Sequence, residues 1–403
     1  MHMETPRGWR ARATQHLKDW VIDADDHLDV AFNRFNQRFG RHRPRHVAAY
    51  RSVAGEHGVE LFGRLLAEAP LGGPKDDDGW WDNLLNTYRR FESDEVPGVP
   101  IHARFRDGAA ETVTDHEGYY RIALQTTAPP SAALWDNATV SLADGTLLTP
   151  QPVLQVGPGA QYGVISDIDD TILHSSILDW KTAAQLTFLH NARTRKPLKG
   201  VAKLYQSLQA GTARTPRNPI FYVSSSPWNL YDLLEDFMEL NGIPAGPIHL
   251  RDLGTDAGKF LKTEGHGHKL DRARELINAF PGLRWVLLGD SGQHDAELYA
   301  RAAQEFGDRI LAIYIRDVDP DVDSDRDRYV DAEIERIAGT RVPMLRSADS
   351  VAMARHAADL GLVPHATVAA VEGEAVRDAQ RPTLGEAAAD AAREQAGDAV
   401  TGP

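Results

Sequence analysis

The chain has 403 residues, 42% of them hydrophobic, enough for two or three packed domains. It contains no cysteine, which excludes disulfides and thiolate metal sites and fits a reducing cytoplasm. A net charge of −14 argues against a nucleic-acid-binding protein, no apolar run is long enough to span a bilayer, and the opening stretch lacks the apolar core of a secretory signal.

Residues 1–47 have helical periodicity. Leu28, Ala31, Phe32, Phe35 and Phe39 fall near one face, and Arg34, Arg38, Arg41, Arg43 and Arg45 make the end of the segment basic. Such a helix can lie on an anionic membrane, or it can pack its phenylalanines on the protein's own domains, which is the commoner fate. Residues 48–158 read as β structure. VELFGRLL, VPIHARF, ETVTDHEGYYRIAL, LWDNATVSLAD and QPVLQVG alternate in polarity, with turns at Asp107-Gly108, Glu117-Gly118 and Asp144-Gly145. Short alternating strands with glycine turns indicate a small antiparallel β-sandwich. GWWDNLLNTYRRF interrupts it as a helical or irregular piece, and Trp80 and Trp81 are core or lipid-facing, core being the commoner fate.

Residues 159–365 open with YGVISDIDDT. Val164 and Ile165 read as a buried parallel strand, and Asp167, Asp169 and Asp170 then fall at its C-terminal tip, where open α/β sheets bind ligands. Two acids at n and n+2 past a strand suit a hard divalent cation, and they suit phosphoryl transfer in which one Asp attacks phosphorus and the other manages protons. An isolated cluster of this kind is as often a solvated turn or a helix cap. The spacing predicts a helix at VAKLYQSL, leaving only a small insertion between the first two motifs. Lys181, Arg193, Arg195, Lys196 and Lys199 surround this entrance, or form an ordinary solvated face.

A second apolar strand, Ile220 to Val223, ends in Ser224, Ser225 and Ser226. Ser226 fits a helix N-cap and Pro227 the first helical position, so the junction reads as a phosphate seat or, more commonly, a plain serine cap. IHLRDL is the next strand, with Arg251, Lys259 and Lys262 as candidate phosphate neighbours. His266 and His268 are too weak a pattern for zinc. Lys269 opens an amphipathic helix. In LRWVLLGDSGQHDAELY a strand ends at Gly289-Asp290, and Asp295 follows five residues after Asp290. These acids complete a metal site or open a helix. RILAIYIRDV is a strand, DVDPDVDSDRDR a solvated acidic loop without calcium-loop register, VPMLRSAD a last strand and SVAMARHAADLGLV a last helix. Residues 366–403, rich in Ala, Glu, Asp and Gln, read as a disordered tail.

The order strand-DxDxT, strand-Ser, Lys, strand-GDx4D resembles the haloacid-dehalogenase superfamily. SDIDDTI, YVSSSPWNLYDLL and GDSGQHDAELY are similar to the catalytic domain of the actin-patch-associated Mg²⁺-dependent phosphatidate phosphatases, lipin-like in chemistry. TDHEGYYRI resembles the transthyretin-like sandwich. The resemblance implies a HAD-like Rossmannoid sheet with a small cap. It implies Asp167 as nucleophile, Asp169 as general acid and base, and Ser224 holding the phosphoryl oxygens, with Ser225 as the substitute in a blurred register. Thr171, Ser226 and Arg251 would line the substrate, and Lys269 would neutralise nucleophile and phosphate. Asp167, Asp169 (through its backbone carbonyl), Asp290 and Asp295 would hold Mg²⁺. A small cap favours a bulky substrate. The reading is a cytoplasmic phosphatidate phosphatase with peripheral contact to an anionic membrane and no nucleic-acid partner. The alternatives are a phosphatase for a soluble or macromolecular phosphomonoester, and a non-catalytic phosphate- or lipid-binding scaffold. Trp228 and Tyr231 are guessed to line the alcohol side.

Overall fold

The computed structural model describes residues 45–55, 58–67, 94–129, 131, 133–172, 198–213, 217–251, 267–319, 321 and 324–380. Among these residues the chain is mixed α/β, with one mostly antiparallel and one parallel sheet.

The first sheet contains β1 (Arg45–Ala49), β2 (Ser52–Ala54), β3 (Gly58–Ala67), β4 (Asp94–Glu95), β5 (Pro100–Phe105), β6 (Gly108–Val113), β7 (Tyr119–Gln125), β8 (Trp135–Leu142) and β9 (Thr149–Gln155). They hydrogen-bond in the order β1-β3-β2-β9-β8-β5-β6, with β4 and β7 also on β3. The β2–β9 pairing is parallel. The period-2 pattern is kept faithfully: in β7, Tyr120, Ile122 and Leu124 are buried while Arg121, Ala123 and Gln125 are exposed. At the Asp107-Gly108 turn the left-handed residue is Arg106, φ 55°, one place before the expected pair. Gly108 is required for a different reason: a Cβ there would lie 2.2 Å from the Gln125 carbonyl oxygen.

The second sheet contains β10 (Gly163–Asp167), β11 (Ile220–Pro227), β12 (Ile248–Arg251), β13 (Trp285–Asp290), β14 (Ile310–Arg316) and β15 (Met344–Ser347), all parallel, in the order β12-β11-β10-β13-β14-β15. Every residue of β10 and β13 is buried, as expected of strands covered on both faces. The helices are α1 (Val201–Ala210), α2 (Tyr231–Leu240), α3 (Gly267–Ala279), α4 (Asp295–Phe306), α5 (Asp325–Ile337), α6 (Ser350–Asp359) and α7 (Ala366–Gln380). Helices α1, α2, α6 and α7 share one apolar core with Val164, Tyr222 and Val286. Helices α3, α4 and α5 share another with Ile165, Phe221 and Leu287. The chain runs outward from β10 through β11 to β12, then returns to β13 on the other side of β10. That reversal opens a crevice at the carboxyl ends of β10 and β13.

The two sheets are packed together. Tyr50 of the first lies with its ring centroid 4.1 Å from Tyr231 and 5.4 Å from Trp228, and Phe62 lies 4.6 Å from Trp228. The Arg51 N–H donates to the Tyr231 hydroxyl at 2.8 Å, and the Arg51 guanidinium pairs with Glu235 at 2.9 Å. Leu154 of β9 joins the core of Ile165 and Trp285.

Three sequence expectations need correction. Residues 45–47, assigned to the N-terminal helical segment, are the start of β1, where His46 and Val47 pair with Leu66 and Leu65. Residues 1–44 lie outside the described residues, as do Trp80 and Trp81 and the insertion at 173–197. Residues 366–380, assigned to the disordered tail, are helix α7, because Val371 enters the core and the Asp378 carboxylate accepts the Gly200 N–H at 2.9 Å. The last four residues of the expected acidic loop, 325–328, are the start of α5: Ser324 caps it by accepting from the Asp327 N–H at 3.1 Å, and Asp327 turns inward to pair with Arg346 at 2.8 Å.

Candidate active site

Two strand ends and two helix starts converge at the crevice. Asp167 is the last residue of β10, Asp290 the last of β13 and Asp295 the first of α4; all three are fully buried. One oxygen from each lies within 4.8 Å of the others. Gly289 makes this possible, since a Cβ there would lie 2.5 Å from Asp295 Oδ2. Lys269, in the first turn of α3, is only 1% exposed, and its Nζ lies 2.9 Å from both Asp167 Oδ1 and Asp295 Oδ1. Gln293 braces the group: its Oε1 accepts from Lys269 Nζ at 3.0 Å, and its N–H donates to Asp290 Oδ1 at 2.9 Å. The Asp290 N–H donates to Asp295 Oδ2 at 3.3 Å.

Burial drives the Asp167 carboxyl well above its usual pKa, against the pull of the Lys269 charge. Burial, and then the charge of Asp295, raise Asp290 as well. For Lys269 burial acts downward, but the charges of Asp167, Asp295 and Asp290 outweigh it and the ammonium is held charged. With all three carboxylates ionised, they and the one ammonium sum to −2. The group fits a divalent cation. The donors are all hard oxygens, Asp290 Oδ2 is buried with no hydrogen-bond donor, and a charge of +2 would neutralise the cluster.

Asp169 belongs to a second group. Its Oδ2 accepts from Ser224 Oγ at 2.8 Å and from Ser226 Oγ at 3.1 Å, and its Oδ1 is buried with no donor. Burial raises its pKa, partly offset by the Ser224 bond. The chain turns sharply after it, with Asp170 at φ 55°. Thr171 points at Asp167, its Oγ1 3.4 Å from Asp167 Oδ2. Ser166, not singled out in the sequence, lies behind Asp167: its Oγ donates to the Asp167 carbonyl oxygen and meets the Tyr205 hydroxyl, both at 2.6 Å.

The serine junction differs from expectation. Ser226 is not an N-cap and Pro227 does not open a helix. Strand β11 continues to Pro227, which pairs with Arg251 of β12; a 3₁₀ turn follows at Trp228–Leu230, and α2 starts at Tyr231 without a side-chain cap. The Ser226 hydroxyl is engaged by Asp169, so it is not available to cap. Ser225 keeps a buried hydroxyl with no partner. Arg251 ends β12 and is half-buried. The His268 ring, adjacent to Lys269, meets the Ser224 carbonyl oxygen through Nε2 at 3.1 Å. Tyr231 is 1% exposed and faces the core, not a substrate. Lys259, Lys262 and His266 lie outside the described residues.

Residues 162–317 match the family described as phosphatidate phosphatase APP1, catalytic domain. The phosphatidate phosphatase APP1 of Saccharomyces cerevisiae is 34% identical over 155 residues, covering 38% of this chain and 25% of the relative. An uncharacterized protein of Schizosaccharomyces pombe is 28% identical over 156 residues, with the same coverage of 38% and 25%. The chain thus spans about a quarter of the length of these curated relatives. A carbohydrate acetylesterase from Xanthomonas citri aligns over 74% of this chain and 66% of its own, at 12% identity and a TM-score of 0.29, too low to bear on the fold. The family match bears out the resemblance drawn from the motifs.

Proposed function

We propose that the protein is a Mg²⁺-dependent phosphatidate phosphatase that releases diacylglycerol and phosphate through an aspartyl phosphate on Asp167. The observation that carries this reading is the pair of buried carboxyl groups with opposite partners: Asp167 against the Lys269 ammonium at 2.9 Å, and Asp169 against serine hydroxyls at 2.8 and 3.1 Å. An Asp167 oxygen attacks phosphorus and the bond to the glycerol oxygen breaks. Asp169 gives its proton to that departing oxygen. Water then attacks the aspartyl phosphate, Asp169 takes a proton from it, and phosphate leaves with Asp167 restored. Lys269 offsets the charge that a phosphate dianion would otherwise meet. Ser225, with the hydroxyl not engaged by Asp169, is available to the phosphoryl oxygens alongside Ser224. Asp167, Asp290 and Asp295 would hold Mg²⁺, which supplies Lewis-acid charge to the phosphoryl oxygens.

We read the parallel sheet as HAD-like with a small cap, supported by its strand order, and the first sheet as a transthyretin-like accessory module, supported by its antiparallel pairing. Among the described residues no helix is long and apolar enough to cross a membrane. The proposed location is the cytoplasm with peripheral contact to anionic membrane. Phosphate release from phosphatidate in mixed micelles, with Mg²⁺ or chelator and beside p-nitrophenyl phosphate, tests the proposal. Metal-dependent release with the higher kcat/KM on phosphatidate is expected. Release from the soluble ester alone would retain the chemistry and discard the lipid; release from neither would overturn both.

A further inference from the structure

We infer that His268 is a positioning residue for this reaction: its imidazole holds a bulge at the end of β11 in the shape that turns both Ser224 and Ser226 onto Asp169. The inference rests on the reading of Asp169 as general acid. It starts from register. Val223 pairs with His249 and Pro227 with Arg251, so β11 advances four residues while β12 advances two. Two residues of β11 are therefore surplus, and backbone groups that leave the ladder need other partners. Alternate residues of a regular strand face the same side, but a plain strand does not bring two hydroxyls onto one oxygen. Here Ser224 Oγ and Ser226 Oγ both reach Asp169 Oδ2, and Ser224 Oγ also accepts the Ser226 N–H at 2.9 Å.

The Ser224 carbonyl oxygen of that bulge takes its contact from His268 Nε2 at 3.1 Å. A carbonyl can only accept, so Nε2 carries the proton, and in a neutral ring Nδ1 is then the bare nitrogen. Nδ1 is buried and has no partner. Burial lowers the pKa of this imidazole, in keeping with a neutral ring. The next residue of the same helix, Lys269, reaches the nucleophile strand. The first turn of α3 therefore fixes the serine side and the Asp167 side of the site relative to each other through adjacent side chains.

The test compares H268A and H268Q with wild type on two soluble esters. p-Nitrophenyl phosphate has a leaving group that needs little help from an acid, whereas octyl phosphate releases an alkoxide that must be protonated. H268A is expected to lose on the order of 10- to 100-fold in kcat on octyl phosphate and about 2- to 3-fold on the nitrophenyl ester, with KM unchanged. H268Q keeps an N–H near the Nε2 position and is expected to recover to within about 3-fold of wild type. Equal losses on the two esters, or no recovery in H268Q, would overturn the role. Wild-type protein that cleaves neither these esters nor phosphatidate would instead overturn the phosphatase reading, and the role with it. Nitrogen-15 NMR of histidine-labelled protein, assigned against H268Q, gives a readout free of catalysis and of the folding of H268A: the Nε2–H tautomer is expected, and an Nδ1–H tautomer would sink the inference.

Discussion

The two sheets treat charged residues in opposite ways. On the antiparallel sheet they are kept at the rim: Arg121 and Glu60 pair at 3.2 Å with both side chains more than half exposed, and Asp107 is fully engaged by Thr126 and Thr127 at a turn. At the carboxyl edge of the parallel sheet, Asp167, Lys269, Asp290 and Asp295 are packed out of water with oxygens left over. Exposed pairs contribute little, about 0 to 1 kcal/mol. Buried ones are costly to assemble, and taking away the Lys269 ammonium would leave the carboxylates around it uncompensated. The difference separates a region built to fold from one that holds charge ready for a reaction.

The sharpest way to probe this contrast is at the nucleophile. Asp167→Asn should abolish phosphate release, by more than about 10³-fold, while circular dichroism and melting remain near wild type; undiminished turnover in a folded variant would end the covalent mechanism. Removing the central cation comes next. Lys269→Met leaves the carboxylates of the cluster facing one another, and we expect inactivity together with a loss of about 3 kcal/mol in urea unfolding. Chelation should remove activity reversibly, and Asp290→Asn should raise the Mg²⁺ concentration needed for half-maximal rate by at least about tenfold; a rate indifferent to chelator would remove the metal from the scheme.

A smaller effect concerns His249, on β12, whose pKa burial lowers to about 3. The unfolded chain takes up this proton near pH 6.5 and the folded chain does not. Its contribution is therefore present above that pH and lost as the pH falls from about 6.5 toward 3, by up to about 1 kcal/mol per unit. Denaturation midpoints of wild type and His249→Leu should diverge across that window, and parallel curves would refute the assignment. The smallest change belongs to the first sheet: Arg121→Ala should shift stability by less than about 1 kcal/mol and leave the rate alone.

Much of this site could be read from the sequence because β10 and β13 are short apolar runs that end at Asp167 and Asp290. That pattern puts these two acids at strand ends, where the structure has them, and puts the serines near one. The burial of Lys269 could not be seen, since lysine is ordinarily at the surface and only the convergence of Asp167 and Asp295 draws it inside. The bulge at Ser224–Ser226 was hidden for another reason: it arises from the register against β12, some twenty-five residues away, and local cap rules pointed to a helix instead. Gln293 lay within the GDSGQHD phrase without any periodicity to mark it. Helix α7 was missed because its alanines add little hydrophobicity, while one valine and one buried aspartate suffice to seat it.

The shared core of the two sheets bears on how this protein can be handled in the laboratory. Cutting the chain to residues 162–317, the matched segment, would strip β15 from β14 and turn an inner strand into an open edge. It would also bare Trp228 and Tyr231, two and five residues beyond Ser226, which rest on Tyr50 and, for Trp228, on Phe62. Such a fragment is expected to precipitate on expression. A soluble preparation should begin no later than β1 and extend through α7, and substrate preference measured on anything shorter would describe a different object.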